Sequence, residues 1–212
     1  MNLDLYVIVG GAHVRGITPA GITRHAIAGG ADAIQFRDKS GDSLDLLRTA
    51  RILRAITQKS GTLFIVNDRL DIAIACGADG VHLGQGDMSP GTARQLAPPG
   101  FIIGVSVGTV EEALGAGRAG ADYLALSPTF PTLSKDNAGP GHGLGRLREI
   151  RRAVSLPLLA IGGISRGNVE EVIAAGADGI AVISAVVESP DIESSARELK
   201  ELVRKTKKSV RL

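Results

Sequence analysis

The sequence lacks, or has few of, the residue types on which several classes of protein depend. It contains no tryptophan, only 3% aromatic residues and one cysteine, Cys76. The aromatic shortage disfavours a single-strand nucleic-acid binder, which stacks bases on aromatic rings, and a lone cysteine excludes an internal disulfide. No apolar run approaches the roughly 18 residues of a membrane span, and the first residues lack the basic segment of a secretion signal. We therefore expect a cytoplasmic protein.

The sequence also lacks a large excess of charge of one sign, because it has 24 Lys and Arg against 22 Asp and Glu. The basic surplus lies in the tail from Arg204 to Arg211, a pattern that does not indicate a nucleic-acid-binding face. With 44% hydrophobic residues, the 212-residue chain is predicted to form one globular domain over residues 1–212. Glycine is abundant instead: 28 residues, about 13% against a usual ~7%, predict repeated tight turns or close backbone approaches.

An internal repeat explains part of this glycine content. The motif Gly-Ala-Asp followed by an apolar run occurs four times, with its aspartates at Asp32, Asp79, Asp122 and Asp178. Each copy follows an Ala-rich amphipathic stretch. The glycine is therefore predicted to end a helix in the left-handed conformation, and the apolar run is predicted to be a buried strand.

Four further apolar runs bring the number of predicted strands to eight. They lie at Leu5 to Val9, Leu63 to Val66, Phe101 to Val105 and Pro157 to Ile161. Helical patterns fill the gaps, for example at residues 43–59, 109–119, 168–175 and 191–205. Eight strands that alternate with helices predict a parallel sheet closed as a single-domain (β/α)₈ TIM barrel, with an open doubly wound sheet as the alternative.

Alignment of the repeats indicates which side chains face the barrel interior. Gln35 and Arg37 are too polar for a strand face that helices cover, and alternation places them on the same side of their strand. The equivalent positions in the other repeats are His82 and Gly84, Ala125 and Ser127, and Ala181 and Ile183. Active sites of this fold lie at the C-terminal ends of the strands. The residues that follow each strand are therefore the functional candidates.

Two cations and two carboxylates follow strands two to four. Arg37 and Lys39 come after the second strand, Asp68 after the third and Asp87 after the fourth. Mg²⁺ is commonly held by one or two carboxylates while substrate phosphates and water complete its shell. The sequence therefore predicts a metal-assisted anion pocket, with His82 one layer deeper as an interior histidine rather than a ligand.

Each of these assignments has an alternative. The two cations could pair with surface acids such as Asp38 or Asp42. Asp68 could cap a helix that starts at Arg69. Asp87 could be a turn residue before Ser89 and Pro90.

A second anion pocket is predicted around strands six to eight. The loop of residues 127–143 is unusually long, which is typical of a lid or binding loop, and Thr132, Ser134 and Lys135 suit a phosphate. Gly162 and Gly163 follow strand seven, where backbone N–H groups and a short extra helix form a recurrent phosphate site of this fold. His142 is interpreted as a solvated loop residue.

The motifs that follow the strands closely resemble those of the thiamine phosphate synthase family. The resemblance covers nearly the whole chain and runs through Gln35-Phe-Arg-Asp-Lys39, Val66-Asn-Asp68, His82-Leu-Gly-Gln-Gly-Asp87, Gly104-Val-Ser106, Pro131-Thr-Leu-Ser-Lys135, Ile161-Gly-Gly-Ile164 and Ile183-Ser184. It implies a Mg²⁺-dependent transferase that joins 4-amino-5-hydroxymethyl-2-methylpyrimidine diphosphate to thiazole phosphate and releases pyrophosphate. It also implies a carbocation-like intermediate and no protein nucleophile.

The resemblance further implies a role for each matching residue. Those expected to bind the pyrimidine diphosphate are Gln35, Arg37, Asp38, Lys39, Asn67, Ser106 and Lys135. Of these, the residues expected to act in catalysis are Arg37, Lys39, Ser106 and Lys135. Those expected to bind the thiazole phosphate are Thr132, Leu133, Ser134, Gly163, Ile183 and Ser184. Asp68 and Asp87 are expected to bind one Mg²⁺ per site.

Some positions depart from the family pattern. Gly108 stands where a histidine is common, Ser127 replaces a common glycine, and Val9-Gly10-Gly11 replaces a polar end of the first strand. Two alternative functions are a thiazole tautomerase-like isomerase on the same barrel and a non-catalytic regulator that binds ligands of the thiamine pathway. The expected partners are small-molecule substrates, with no nucleic acid and no membrane. Whether the chain forms a homo-oligomer stays open.

Overall fold

The computed structural model describes residues 1, 3–132, 134 and 139–210, and within them eight parallel strands close into a barrel in chain order. The strands are β1 (Leu5–Val9), β2 (Ala33–Phe36), β3 (Leu63–Asn67), β4 (Gly80–Leu83), β5 (Ile102–Val107), β6 (Tyr123–Leu126), β7 (Leu158–Ile161) and β8 (Gly179–Val182). The last strand pairs with the first, with Leu5 opposite Ile180. The predicted TIM barrel is confirmed, and the open sheet is wrong.

Helices follow the strands and cover the outside of the barrel. They are α1 (Pro19–Ala28), α2 (Ser43–Ser60), α3 (Leu70–Ala75), α4 (Pro90–Leu96), α5 (Val110–Arg118), α6 (Gly143–Ala153), α7 (Val169–Ala174), α8 (Ser184–Val187) and α9 (Ile192–Val210). None of the described helices combines the length and the apolar character that crossing a membrane requires.

The last helix is longer than the sequence predicts. α9 continues past residue 205 to Val210, and two of its basic residues contact Asp4, directly before β1. Arg204 Nε and Lys207 Nζ lie 3.0 and 2.5 Å from the carboxylate of Asp4, a residue that is 4% exposed. Part of the basic tail therefore serves to neutralise a buried acid.

Strand alternation divides the apolar residues into two cores. Leu5, Val7 and Val9 belong to the large core between the sheet and the helices, whereas Tyr6 and Ile8 belong to a smaller core inside the barrel. Other members of the inner core are Ala33, Ile65, Tyr123, Ala125, Leu159 and Ala181. The predicted inward orientation of the aligned repeat positions is therefore confirmed.

The Gly-Ala-Asp repeat lies at the N-terminal end of the barrel. Its glycines have positive φ in all four copies, as predicted for helix ends: 95° at Gly30, 66° at Gly77, 89° at Gly120 and 107° at Gly176. Each aspartate carboxylate then accepts a hydrogen bond from a backbone N–H of the preceding strand. These donors are Leu5 at 3.0 Å, Phe64 at 2.8 Å, Ile103 at 2.7 Å and Leu158 at 2.9 Å.

Every one of these carboxylates also binds a cation. The pairs are Asp32 with Lys200 of α9 at 2.7 Å, Asp79 with Arg54 of α2 at 2.8 Å, Asp122 with Arg94 of α4 at 2.6 Å, and Asp178 with Arg151 of α6 at 2.7 Å. We call these four aspartates and four cations the basal ring. Each aspartate connects the start of an even-numbered strand to the preceding strand and to a helix on the far side of that preceding strand. Together these contacts hold the N-terminal end of the barrel closed.

Candidate active site

A cavity opens at the C-terminal ends of the strands, where the sequence places the functional residues. Its volume is about 820 Å³, part of it open to solvent, and its lining includes side chains from both predicted anion pockets. One side is lined by Arg37, Lys39 and Asp68, and the other by Gly163 and Ser184. The two predicted pockets are therefore parts of one cavity.

The cations beside β2, Arg37 and Lys39, both line this cavity. Lys39 Nζ lies 3.5 Å from Asp68 Oδ2. The surface acids proposed as alternative partners are occupied elsewhere, because Asp38 accepts hydrogen bonds from the loop that follows it and Asp42 caps α2. Among the described residues no ion pair involves Arg37, so its charge is available to an anion in the cavity.

Asp68 is held in a conformation that non-glycine residues seldom adopt. Its φ is +60°, and its backbone N–H donates to the His82 carbonyl oxygen at 2.8 Å, which fixes it against β4. The helix that follows begins at Leu70 and has no side-chain cap, so the capping alternative is wrong. Burial raises the pKa of Asp68 above its ordinary value, and Asp87 raises it further by hydrogen bonding and by its charge, while Lys39 lowers it.

Asp87 has a turn role as well as a place at the cavity. Its Oδ2 accepts a hydrogen bond from the Gly84 N–H at 2.7 Å, which closes the turn after β4. Asp68 and Asp87 thus bring two carboxylates together with Lys39 as the nearby cation. Two adjacent carboxylates with partial neutralisation favour a divalent cation. The described residues contain no group of three or more His, Cys, Asp or Glu that could hold a metal without further ligands.

Below the cavity, five polar side chains form a continuous chain of hydrogen bonds across the barrel. Gln35 Nε2 lies 2.9 Å from Tyr6 Oη, which lies 3.0 Å from Tyr123 Oη. Tyr123 Oη lies 2.9 Å from His82 Nδ1, and His82 Nε2 lies 2.9 Å from Ser106 Oγ. We call this chain the floor network. The prediction that His82 is a hydrogen-bonded interior residue is confirmed.

The tyrosines of the floor network were missed by the sequence analysis. Burial raises the pKa of both Tyr6 and Tyr123 well above the ordinary value, so both hydroxyls keep their protons. Gly104 makes room for one ring, because a Cβ at this position would overlap the Tyr123 side chain. A signal was present: Tyr123 directly follows a repeat aspartate, where the other copies have only alanine or glycine.

The glycine pair after β7 packs against the base of the long loop. Gly162 and Gly163 have φ of 95° and 65°, and a Cβ at Gly163 would lie 2.7 Å from the Pro131 carbonyl oxygen. Phe130 N–H donates to the Gly162 carbonyl oxygen at 3.1 Å. Both positions therefore require glycine, and the loop base is fixed to the end of β7.

Hydroxyl groups from the loop and from β8 meet beside these glycines. Ser134 Oγ lies 3.5 Å from Ser184 Oγ, and the Ser134 N–H donates to Thr132 Oγ1 at 3.2 Å. Ile183 also lines the cavity, and the short helix expected here is α8. The predicted site residues Leu133 and Lys135 lie outside the described residues.

Asn67 and Ser106 also line the cavity, whereas Asp38 does not. The Asp38 carboxylate accepts instead from Ser40 and Gly41 in the loop that follows it. The structure therefore does not bring Asp38 to the other predicted diphosphate ligands. Gly11, one of the departures from the family pattern, makes room for this carboxylate, since a Cβ there would overlap it.

His142 occupies space that the departure at Gly108 leaves open. A Cβ at Gly108 would lie 2.7 Å from His142 Cε1 and Nε2. The ring is exposed, as predicted, but it packs against β5 and borders a cleft that shares Lys39 and Asp87 with the main cavity.

Comparison with known proteins shows the family of this chain. A family model described as thiamine monophosphate synthase matches residues 5–186. The chain is 63% identical to a thiamine-phosphate synthase of Methanoregula boonei, covering 100% of this chain and 98% of that one. It is 59% identical to one of Methanoculleus marisnigri, covering 96% of each. A solved thiamine phosphate pyrophosphorylase from Pyrococcus furiosus superimposes with a TM-score of 0.88 at 41% identity over 96% of both chains.

Proposed function

Because the chain belongs to the thiamine monophosphate synthase family, we propose that it joins 4-amino-5-hydroxymethyl-2-methylpyrimidine diphosphate to thiazole phosphate. The products are thiamine phosphate and pyrophosphate. The observation that carries this proposal is one cavity that holds two separate sets of anion-binding groups, as a reaction between two phosphorylated substrates requires. Neither the isomerase nor the regulator considered as alternatives finds support in the relatives.

The pyrimidine diphosphate is assigned to the side of the cavity formed by β2 to β5. Arg37 and Lys39 supply positive charge there, and Asn67 and Ser106 supply neutral hydrogen-bonding groups. An isomerase has no diphosphate to bind and no use for this concentration of cations. Lys135 is expected to add a further cation from the long loop.

A divalent cation fits the two carboxylates of this side. Asp68 and Asp87 would hold one Mg²⁺, whose remaining ligands would come from the substrate diphosphate and water. When bound, the metal would neutralise negative charge that develops on the departing pyrophosphate. The raised pKa of Asp68 agrees with this assignment, because burial is its main cause and the nearby Asp87 carboxylate adds to it, and a bound cation would relieve both effects.

The thiazole phosphate is assigned to the side formed by β6 to β8. Thr132, Ser134 and Ser184 offer hydroxyl groups, and the glycine backbone at Gly163 allows an anion to approach closely. Ile183 lies beside them and offers an apolar contact to the thiazole ring.

The chemistry then consists of one bond broken and one formed. The C–O bond between the pyrimidine methylene and the diphosphate breaks, and its electron pair leaves with pyrophosphate. The electron-rich aminopyrimidine stabilises the carbocation-like methylene, and the lone pair of the thiazole nitrogen forms the new C–N bond. Arg37 and Lys39 stabilise the leaving group, and the cavity positions the two substrates.

The experiment mixes the purified protein with both substrates and Mg²⁺ and measures both products. We expect pyrophosphate and thiamine phosphate to appear in equal amounts, and neither product when one substrate is omitted. Isomerisation of a thiazole without pyrophosphate release would indicate the tautomerase. Retention of both ligands without turnover would indicate the regulator.

Two finer assignments belong to the same proposal. One domain of residues 1–212 carries both halves of the reaction, in the cytoplasm, where a chain with a single cysteine is expected.

A further inference from the structure

We propose that the two buried tyrosines, Tyr6 and Tyr123, are positioning residues that select an amino-substituted pyrimidine over its oxo counterpart. They would do so by fixing the direction of every hydrogen bond in the floor network. Neither tyrosine is among the residues that line the cavity, so each acts through the network residues that do: Gln35 and Ser106 at its two ends, and His82 between them. The choice of a pyrimidine rests on the proposed function, whereas the direction of the network does not.

The direction follows from counting protons, starting at Gln35. Its amide nitrogen faces Tyr6 Oη, and an amide nitrogen can only donate. Tyr6 Oη therefore accepts from Gln35 and gives its single proton to Tyr123 Oη. Both phenols are protonated and buried, so an oxygen that accepted from both sides would leave its own proton without an acceptor, at a cost that disfavours this arrangement.

The same reasoning fixes the tautomer of His82. Tyr123 Oη accepts from Tyr6, so its own proton goes to His82 Nδ1. Nδ1 must then be the unprotonated ring nitrogen, which leaves the proton of the neutral imidazole on Nε2. The Nε2–H group donates to Ser106 Oγ, and the Ser106 hydroxyl keeps its own proton for a ligand.

The two ends of the network therefore present opposite groups to the cavity. The Gln35 amide nitrogen donates to Tyr6, so the Gln35 oxygen Oε1 is the acceptor that faces the cavity. At the other end Ser106 presents an O–H donor. An aminopyrimidine has the complementary pattern, an amino N–H₂ donor and ring nitrogens that accept. A 4-oxo pyrimidine would place carbonyl lone pairs against Gln35 Oε1. Rotation of the Gln35 amide would rescue that contact only if both tyrosines and the His82 tautomer reversed as well.

The packing around the network limits such rearrangement. Tyr6 and Tyr123 are 2% and 1% exposed, and their ring centroids lie 6.1 Å apart. Tyr123 also lies over Gly104, with its hydroxyl between Tyr6 and His82. The tyrosine hydroxyls thus have fixed partners on both sides.

The first experiment determines the tautomer of His82 by ¹⁵N NMR of the labelled full-length protein without ligands. A His82→Gln variant identifies the signals among the four histidines of the chain. We expect a protonated Nε2 and an unprotonated Nδ1, and we expect the two forms to become mixed in Tyr123→Phe. A proton on Nδ1 in the native protein would overturn the proposal, whatever the enzyme activity.

The second experiment measures dissociation constants for two non-reacting analogues. Both are pyrimidine diphosphates in which a methylene replaces the departing oxygen, one with a 4-amino and one with a 4-oxo group, so intrinsic reactivity does not contribute. We expect the native protein to prefer the amino analogue by about 100-fold, since a mispaired buried hydrogen bond costs on the order of one to two factors of ten. Tyr6→Phe and Tyr123→Phe should each reduce this preference at least about tenfold.

Thr57→Val is the matched control, because it also removes a buried hydroxyl but one that bonds within α2. It should leave the preference and the His82 tautomer unchanged. An undiminished preference in both tyrosine variants would overturn the proposal. If neither analogue binds the native protein, the proposed function fails, while the NMR result still decides the direction of the network.

Discussion

The two ends of the barrel use charge in opposite ways. In the basal ring each aspartate has a cation within 2.8 Å and a backbone N–H within 3.0 Å. At the mouth Asp68 has Lys39 at 3.5 Å, no ion pair within the described residues involves Asp87, and no described acid pairs with Arg37. A neutralised end stabilises the fold, whereas an end with unbalanced charge can bind ions. Substitutions of the same chemical type should therefore affect stability at one end and turnover at the other.

The largest effect is expected for Asp87→Asn at the mouth. Asparagine keeps an oxygen for the Gly84 N–H but removes the charge, so the turn should persist. Turnover should fall at least about 100-fold, the scale of losing one preorganised electrostatic group, with little change in the melting temperature. Chelation of the metal should abolish turnover reversibly. Full activity in EDTA would remove the metal from the mechanism.

A loss of stability rather than turnover is expected for Asp32→Ala in the basal ring. The Asp32 side chain is 15% exposed, and its removal leaves the Leu5 N–H without its acceptor and the Lys200 ammonium with only the Gly30 carbonyl oxygen. The free energy of unfolding should fall by about 2–3 kcal/mol, measured by urea denaturation, with turnover per folded molecule unchanged. Asp122→Ala, at a 43% exposed position, should cost about 1 kcal/mol. Equal losses at the two positions would contradict this dependence on burial.

Gly163→Ala should separate the two substrates. The added Cβ would lie 2.7 Å from the Pro131 carbonyl oxygen at a φ of 65°. The KM for thiazole phosphate should rise about tenfold while that for the pyrimidine diphosphate stays near its native value. Gly61→Ala is the control, because Gly61 also has a positive φ but open space around it. A shared rise in both KM values would contradict the assignment of β7 and β8.

The smallest effect concerns the floor network, which lies between the two ends. In the unfolded chain tyrosine ionises near its ordinary pKa of about 10, whereas burial raises the pKa of Tyr6 in the folded protein. The folded state therefore holds its proton longer, and stability falls as pH rises above 10. Tyr6→Phe should remove about 1 kcal/mol of this loss at pH 11. Identical slopes of unfolding free energy against pH would contradict the raised pKa.

The repeat made the fold predictable, but it contains only the aspartates of the basal ring and not the cations that bind them. Gly-Ala-Asp located the helix ends and four strand starts because both are local properties of the backbone. The cations were missed, although an arginine precedes the aspartate by 25, 28 and 27 residues in three copies. The fourth cation, Lys200, follows Asp32 by 168 residues, because barrel closure rather than sequence proximity brings it there.

At the mouth, residues directly after strands were predictable because the ends of parallel strands meet. Asp68 and Asp87 were placed together in this way. Asp38 was assigned from the resemblance, although alternation alone places it opposite Arg37 and Lys39. Tyr6 and Tyr123 were missed because they contact each other only across the closed barrel, over 117 residues of chain.

The basal ring also describes how such a barrel can be assembled from smaller pieces. A quarter that begins at a repeat aspartate carries that acid at the start of an even strand and a cation on a helix after that strand, and this cation binds the acid of the next quarter. The contact is heterologous, like that between subunits of a cyclic oligomer, and four such contacts close the circle. Lys200 and Asp32 make the closing contact. Two successive duplications of a gene for one quarter would give four copies that close into a ring. Each junction would then reuse the same acid–cation contact, and no new interface would be required.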